Sequence, residues 1–125
     1  MGGFSFAVVI PPPLWVVKFD NTFWGPDPNT AWNVSAWVED GPPAGSIKVS
    51  TLGTWNEGYR PTKARITGVV SFANSLSVRS TSGSSIGTES NGAVVEIDLT
   101  FGSFNIGDML LYGMSSITNI EFLEA

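Results

Sequence analysis

The side chains able to do chemistry in this chain are defined first by what is missing: there is no histidine and no cysteine. Histidine is the commonest general base and metal ligand, so Ser-His-Asp and Cys-His catalysis are both excluded. Disulfides and thiolate metal sites go with the cysteines. Carboxylates remain. Glu96, Asp98 and Glu121 lie on segments that read as strands, and glycoside hydrolysis needs only two facing carboxyl groups. Strands, however, routinely carry acids on their solvent side, and these acids alternate with apolar residues. The sequence therefore predicts no enzyme; two acids converging in a cleft would overturn that expectation.

Oxygen donors raise a calcium question, because Asp20, Asn21, Asp27 and Asn29 lie close together and Ca²⁺ takes ligands of this type. Their spacing matches no EF-hand, and Asp and Asn also favour turns by bonding their own backbone. Turn chemistry is the reading adopted, so no metal and no cofactor is expected. The glycines form neither a GxGxxG nor a P-loop pattern. Nucleic acid is also an unpromising partner, since the formal net charge is −5 and phosphate binding needs clustered Lys and Arg. The densest basic stretch, Arg60, Lys63 and Arg65, reads as a solvated strand entry.

Aromatic residues carry the strongest functional signal. Phe23, Trp24, Trp32, Trp37, Trp55 and Tyr59 fall in or beside the loops flanking the third and fourth predicted strands. Sugar rings stack on Trp and Tyr, and the same rigid side chains anchor protein interfaces. The competing reading is that Trp32 fills the core and the others plug the ends of the fold. Trp24, Trp37, Trp55 and Tyr59 are the candidate binding residues, for a glycan or a protein surface.

These residues must be positioned by strands, because period-two alternation dominates and no window holds a helical period. In Ala93 to Phe101, Val95, Ile97, Leu99 and Phe101 point one way and Glu96, Asp98 and Thr100 the other. Ala64 to Phe72 repeats the pattern with Ile66, Val70 and Phe72 inward, and Gly68 marks a bulge or a close approach. Leu76 and Val78 continue it. Further strands are expected at Phe4 to Ile10, Leu14 to Phe19, Thr30 to Val38, Ser46 to Leu52 and Thr118 to Leu123. Turn chemistry separates them at Gly25 to Asn29, Asp40 to Pro43, Asn56 to Gly58 and Ser90 to Gly92. Ser80 to Gly92 reads as a long hairpin loop, and Ile106 to Met114 as either a helical turn or an interrupted strand. About eight antiparallel strands in a β-sandwich or jelly roll follow, forming a single domain over residues 1–125.

Two predicted strands are apolar on both faces. Trp15, Val17 and Phe19 oppose Leu14 and Val16; Trp32, Val34 and Val38 share a face and Trp37 stands opposite. Such strands are either covered within the fold or look outward and need a partner. Only 14% of residues are charged, which also suits a domain that packs against neighbours. Pro11, Pro12 and Pro13 form a stiff extended joint within residues 1–19, between apolar segments that either exchange with a neighbour or make an ordinary edge strand. The prolines cut the apolar N-terminus and no positive charge precedes it, so no secretion signal is expected; Asn33-Val34-Ser35 is then an accidental sequon. No run approaches the ~18 apolar residues of a membrane span.

Several segments together resemble the galactose-binding-like (discoidin-type) β jelly rolls. Asp27-Pro28-Asn29-Thr30-Ala31-Trp32 is similar to that family's loop ending in Thr-x-Trp. Arg60 to Ile66 resembles its strand entry after a proline, Leu76 to Gly87 the strand leading to its Ser-x-Gly turn, and Ile117 to Phe122 its closing strand. The resemblance implies binding of glycans, lipids or proteins through loops at one end of a sandwich. The chain lacks the disulfide that often joins the family's termini. In composition it also looks like the small structural proteins of tailed-phage virions, rich in Gly, Ser, Thr, Asn and Trp. The expected role is thus a non-enzymatic structural or interaction protein of a virus particle, such as a capsid decoration or tail component. Its partners would be itself, as a homo-oligomer of which a trimer is one form, and other virion proteins. Its location would be the virion, assembled in the host cytoplasm. The alternative is a carbohydrate-binding module or receptor-binding tip that holds a cell-surface glycan.

Overall fold

The computed structural model describes residue 3 and residues 14–26, 30–40, 47–70, 76–87 and 92–124. Ten strands run through them: β1 (Leu14–Val17), β2 (Trp24–Pro26), β3 (Thr30–Trp32), β4 (Trp37–Glu39), β5 (Lys48–Thr51), β6 (Lys63–Val70), β7 (Ser77–Ser80), β8 (Val94–Asp98), β9 (Met109–Tyr112) and β10 (Met114–Glu124). They form two antiparallel sheets, an all-β sandwich. One has the order β3-β4-β10-β6-β8 with β1 also paired to β10, and the other the order β2-β5-β9-β7. β10 is the spine of the larger sheet. One of its edges pairs with β6 throughout, while the other pairs first with β4 and then with β1.

Alternation places the core. Val95 and Ile97 of β8 are buried while Val94, Glu96 and Asp98 are exposed, and the pattern continues through buried Leu99 and Phe101. Ala64 and Ile66 of β6 lie opposite Ile97 and Val95, so the same faces meet. In the second sheet Val49, Leu111 and Val78 pair across three strands and are buried together. Each such side chain, removed from water, contributes about 1.5–3 kcal/mol. Trp24 and Phe122 stack across the two sheets with ring centroids 6.2 Å apart.

β10 departs from simple alternation. Its buried residues are Met114, Ile117, Ile120 and Phe122, and its register against β6 shifts between Met114 and Ser116 and again between Ile117 and Asn119. Each irregularity adds a residue to β10, so side chains three apart both reach the core. Gly68 of β6 makes this possible: a Cβ there would stand 2.1 Å from the Ser116 carbonyl oxygen. The expected close approach at Gly68 is therefore present, with the extra residues on the partner strand.

Several expectations are corrected. Thr30 to Val38 is not one strand but the hairpin β3–β4, in which Trp32 lies directly opposite Trp37. Asn33 breaks it: its side-chain oxygen accepts from the Ser35 and Ala36 amides, and Val34 is left 86% exposed at φ 80°. Val34 thus shares no face with Trp32. Gly25-Pro26 belongs to β2 rather than to a turn. Both readings of Ile106 to Met114, by contrast, hold in part: a 3-10 turn (Ile106–Asp108), capped by Asn105, is followed by β9 and a reversal at Gly113, φ 115°. On β1, Leu14 and Val17 are exposed, whereas Val16 and Trp15 are half-buried. The expected strand Phe4 to Ile10, the proline joint and the positions Val70 (side chain), Phe72, Asp27 and Asn29 lie outside what is described. Among the described residues no helix is long and apolar enough to cross a membrane.

Candidate functional site

The β1–β2 loop, residues 18–23, is held by indoles. Trp24 Nε1 donates to the Lys18 carbonyl at 2.7 Å, Trp37 Nε1 to Phe19 at 2.9 Å and Trp55 Nε1 to Phe23 at 2.6 Å. Buried indole N–H groups need acceptors, and this loop supplies them from its backbone. Asp20 tightens the same loop by accepting from the amide and hydroxyl of Thr22 at 2.9 and 2.5 Å. Those hydrogen bonds hold its carboxyl below the usual carboxylate range. Asp20 thus does turn chemistry, as its residue type suggests.

Where this loop meets the β5–β6 connection and the last residue of β10, a cleft of about 540 Å³ opens. Lys18, Thr22, Phe23, Thr54, Trp55, Asn56, Tyr59 and Glu124 line it. Trp55 and Tyr59 form one wall, with ring centroids 5.8 Å apart. Both rings meet Phe122 edge-on, at 5.6 and 6.2 Å, so the wall is rooted in the core. Phe23 packs against Trp55 at 5.5 Å. The Lys18 ammonium stands over three of these rings, 4.9 Å from Phe23, 5.3 Å from Tyr59 and 5.8 Å from Trp55. Ring faces attract a cation in this geometry.

Tyr59 contributes a polar oxygen as well as a ring. Its hydroxyl is buried, and its nearest acceptor is the Glu124 carboxylate, which lies short of good hydrogen-bond geometry but close enough to act on it. Burial first, then the neighbouring Glu124 carboxylate, push the Tyr59 phenol well above its ordinary value. The cleft therefore presents a cation, an anion and an aromatic wall within one small volume, with the Tyr59 hydroxyl buried behind that wall.

Of the four residues singled out by sequence, the structure brings Trp55 and Tyr59 together in this cleft. Trp24 and Trp37 are corrections: both are fully buried, and they act from the core by holding the loop backbone. Their flanking positions look like loop positions only when the short strand β2 and the β3–β4 hairpin go unread. Lys18 and Glu124 were not among the candidates. The available signal was a single lysine between Val17 and Phe19 in an otherwise apolar segment.

The carboxylates considered for hydrolysis lie elsewhere, on the outer face of the larger sheet. Glu121 receives Arg65 in a two-point pair, with both N–O distances 3.1 Å, and Glu96 approaches the same guanidinium at 3.5 Å. Trp15 covers the guanidinium at 4.1 Å. Asp98 pairs with Lys63 at 3.3 Å. The basic stretch is occupied too, since Arg60 donates to the Gly102 carbonyl at 3.3 Å. No group of three or more metal-binding acids occurs among the described residues.

Compared with family models, curated proteins and solved structures, the chain matches none. The cleft is thus the guide to its function.

Proposed function

We propose that the chain is a non-enzymatic interaction domain of a virus particle, and that it holds a glycan in the Trp55–Tyr59 cleft. The observation that carries this reading is the cleft wall: two core-anchored aromatic rings beside hydrogen-bonding groups on Thr22, Thr54, Asn56 and Glu124. A sugar offers an apolar ring face to the first and hydroxyls to the second. The low content of charge and the Ser, Thr, Asn and Gly-rich composition support a place in a virus particle, and a glycan-holding cleft suits a receptor-binding tip. A glycan array probed with the purified protein tests the reading. Binding that is lost in Trp55→Ala, with the β-sheet circular dichroism kept, supports it; a blank array with folded protein removes it.

A second reading, a homo-oligomeric capsid decoration or tail component, is favoured by strand β1. Leu14 and Val17 are 63% and 58% exposed on a strand paired along β10. Exposed apolar side chains at a sheet edge suit a contact with another copy. Light scattering decides it: a strict monomer at tens of micromolar is the contrary outcome.

A further inference from the structure

Resting on the glycan reading of the cleft, we infer that its ligand is an acidic sugar, a pyranose bearing a carboxylate, whose charge is read by Lys18. An ammonium carries three hydrogen-bond donors. Among the described residues Lys18 Nζ has neither an ion-pair partner nor a hydrogen-bond acceptor, and it stands over three ring faces. The rings of Phe23, Trp55 and Tyr59 fix its position, and the Lys18 carbonyl is itself bonded to Trp24. A cation so placed, lining an open cleft, is set to receive an anion from outside the chain. Charge-assisted bonds of this kind are the strong ones.

Glu124 narrows the choice of anion. Its carboxylate lines the same cleft and does not pair with Lys18. A compact polyanion such as inorganic phosphate would meet Lys18 and be repelled by Glu124. A sugar carboxylate carries one negative charge at one end of a ring, and its hydroxyls can donate to Glu124 at the other. Its C–H face can lie on the aromatic wall that Trp55 and Tyr59 form.

The test uses the whole chain and ¹H–¹⁵N spectra, following the five indole N–H signals, with that of Trp55 assigned by its loss in Trp55→Phe. Glucuronate, glucose, glucosamine and inorganic phosphate are titrated separately. Glucuronate is expected to shift the Trp55 signal with half-saturation at a concentration about tenfold below that of glucose, as one added charge-assisted hydrogen bond implies. Lys18→Met should abolish that difference, leaving both sugars equally weak, and Lys18→Arg should retain most of it. Equal binding of glucuronate and glucose by the unaltered protein overturns the acidic preference while leaving the glycan reading intact. So does a preference for glucosamine, or phosphate displacing glucuronate at matched concentration. If neither sugar moves any signal and the glycan array is blank, the glycan reading fails and this inference falls with it.

Discussion

The indole N–H of Trp24 donates to the Lys18 carbonyl at 2.7 Å, so a fully buried side chain fixes the backbone of the residue whose ammonium enters the cleft. Trp24→Phe removes that donor and leaves the carbonyl without its partner. An orphaned buried polar group costs about 1–3 kcal/mol, and the space vacated by the smaller ring adds to it. The urea midpoint should therefore fall with an unchanged slope. The cleft should loosen as well, seen as broadening of the Trp55 indole signal. An unaltered midpoint would mean that the loop is held by something other than this bond.

Gly68 faces the most crowded point of the larger sheet. A methyl group there would sit 2.1 Å from the Ser116 carbonyl and 3.0 Å from the Ile117 Cα, both backbone atoms. Flexible side chains can yield, but a paired strand cannot without losing ladder bonds. Gly68→Ala should cost about 3 kcal/mol, the upper end of ordinary overpacking. Gly53→Ala, where nothing stands within 4 Å, is the control and should be near neutral.

What the sequence disclosed and what it hid follow from the range of the forces involved. β8 was legible because its alternation is strict and continues along the chain to Phe101. Gly68 was legible because a glycine inside a strand pattern weakens the strand, and is placed there mainly where a bulge or a neighbouring backbone leaves no room for a Cβ. The β3–β4 hairpin was not, because Asn33 and Val34 interrupt an apolar run without glycine or proline, and Asn33 makes its turn through side-chain bonds to Ser35 and Ala36. β10 hid its bulges because a buried period of three needs the partner strand to define it. The cleft was half legible. Trp55 and Tyr59 are near in sequence and stand out by type, but Lys18 and Glu124 reach them only through the pairing of β1 with β10.

Val34 is the described non-glycine residue with a positive φ, 80°, and its side chain is 86% exposed. A β-branched residue is poorly suited to that backbone region, and no packing compensates for it here. Val34→Asn, which tolerates the left-handed region, should raise stability by about 1 kcal/mol. Val34→Gly relieves the same strain but increases the freedom of the unfolded chain, so its gain should be smaller. Thermal unfolding of the three proteins in parallel is the measurement. A loss of stability in Val34→Asn would mean that the valine is not strained at this backbone position.

Tyr59 links the cleft to alkaline stability. An unfolded tyrosine loses its proton near pH 10.0, whereas burial and the nearby Glu124 carboxylate hold Tyr59 protonated to higher pH in the folded protein. Above pH 10 the unfolded state therefore binds fewer protons than the native one, and stability must fall as pH rises. The decline continues until Tyr59 itself titrates in the folded protein. Below pH 10 both states keep the proton, and this residue adds no pH dependence. Tyr59→Phe removes the titrating group together with a buried hydroxyl that has no partner of good geometry. At pH 7 the variant should be at least as stable as the unaltered protein, because no good hydrogen bond is lost and a buried hydroxyl without a good partner is removed. Between pH 10 and 11 it should be the more stable of the two, by a margin that widens with pH. Urea midpoints measured from pH 7 to 11 for both proteins isolate the effect, since every other titrating group is common to the two. Parallel curves across the whole range would mean that the Tyr59 hydroxyl is open to solvent, and that the cleft is shallower than its geometry requires.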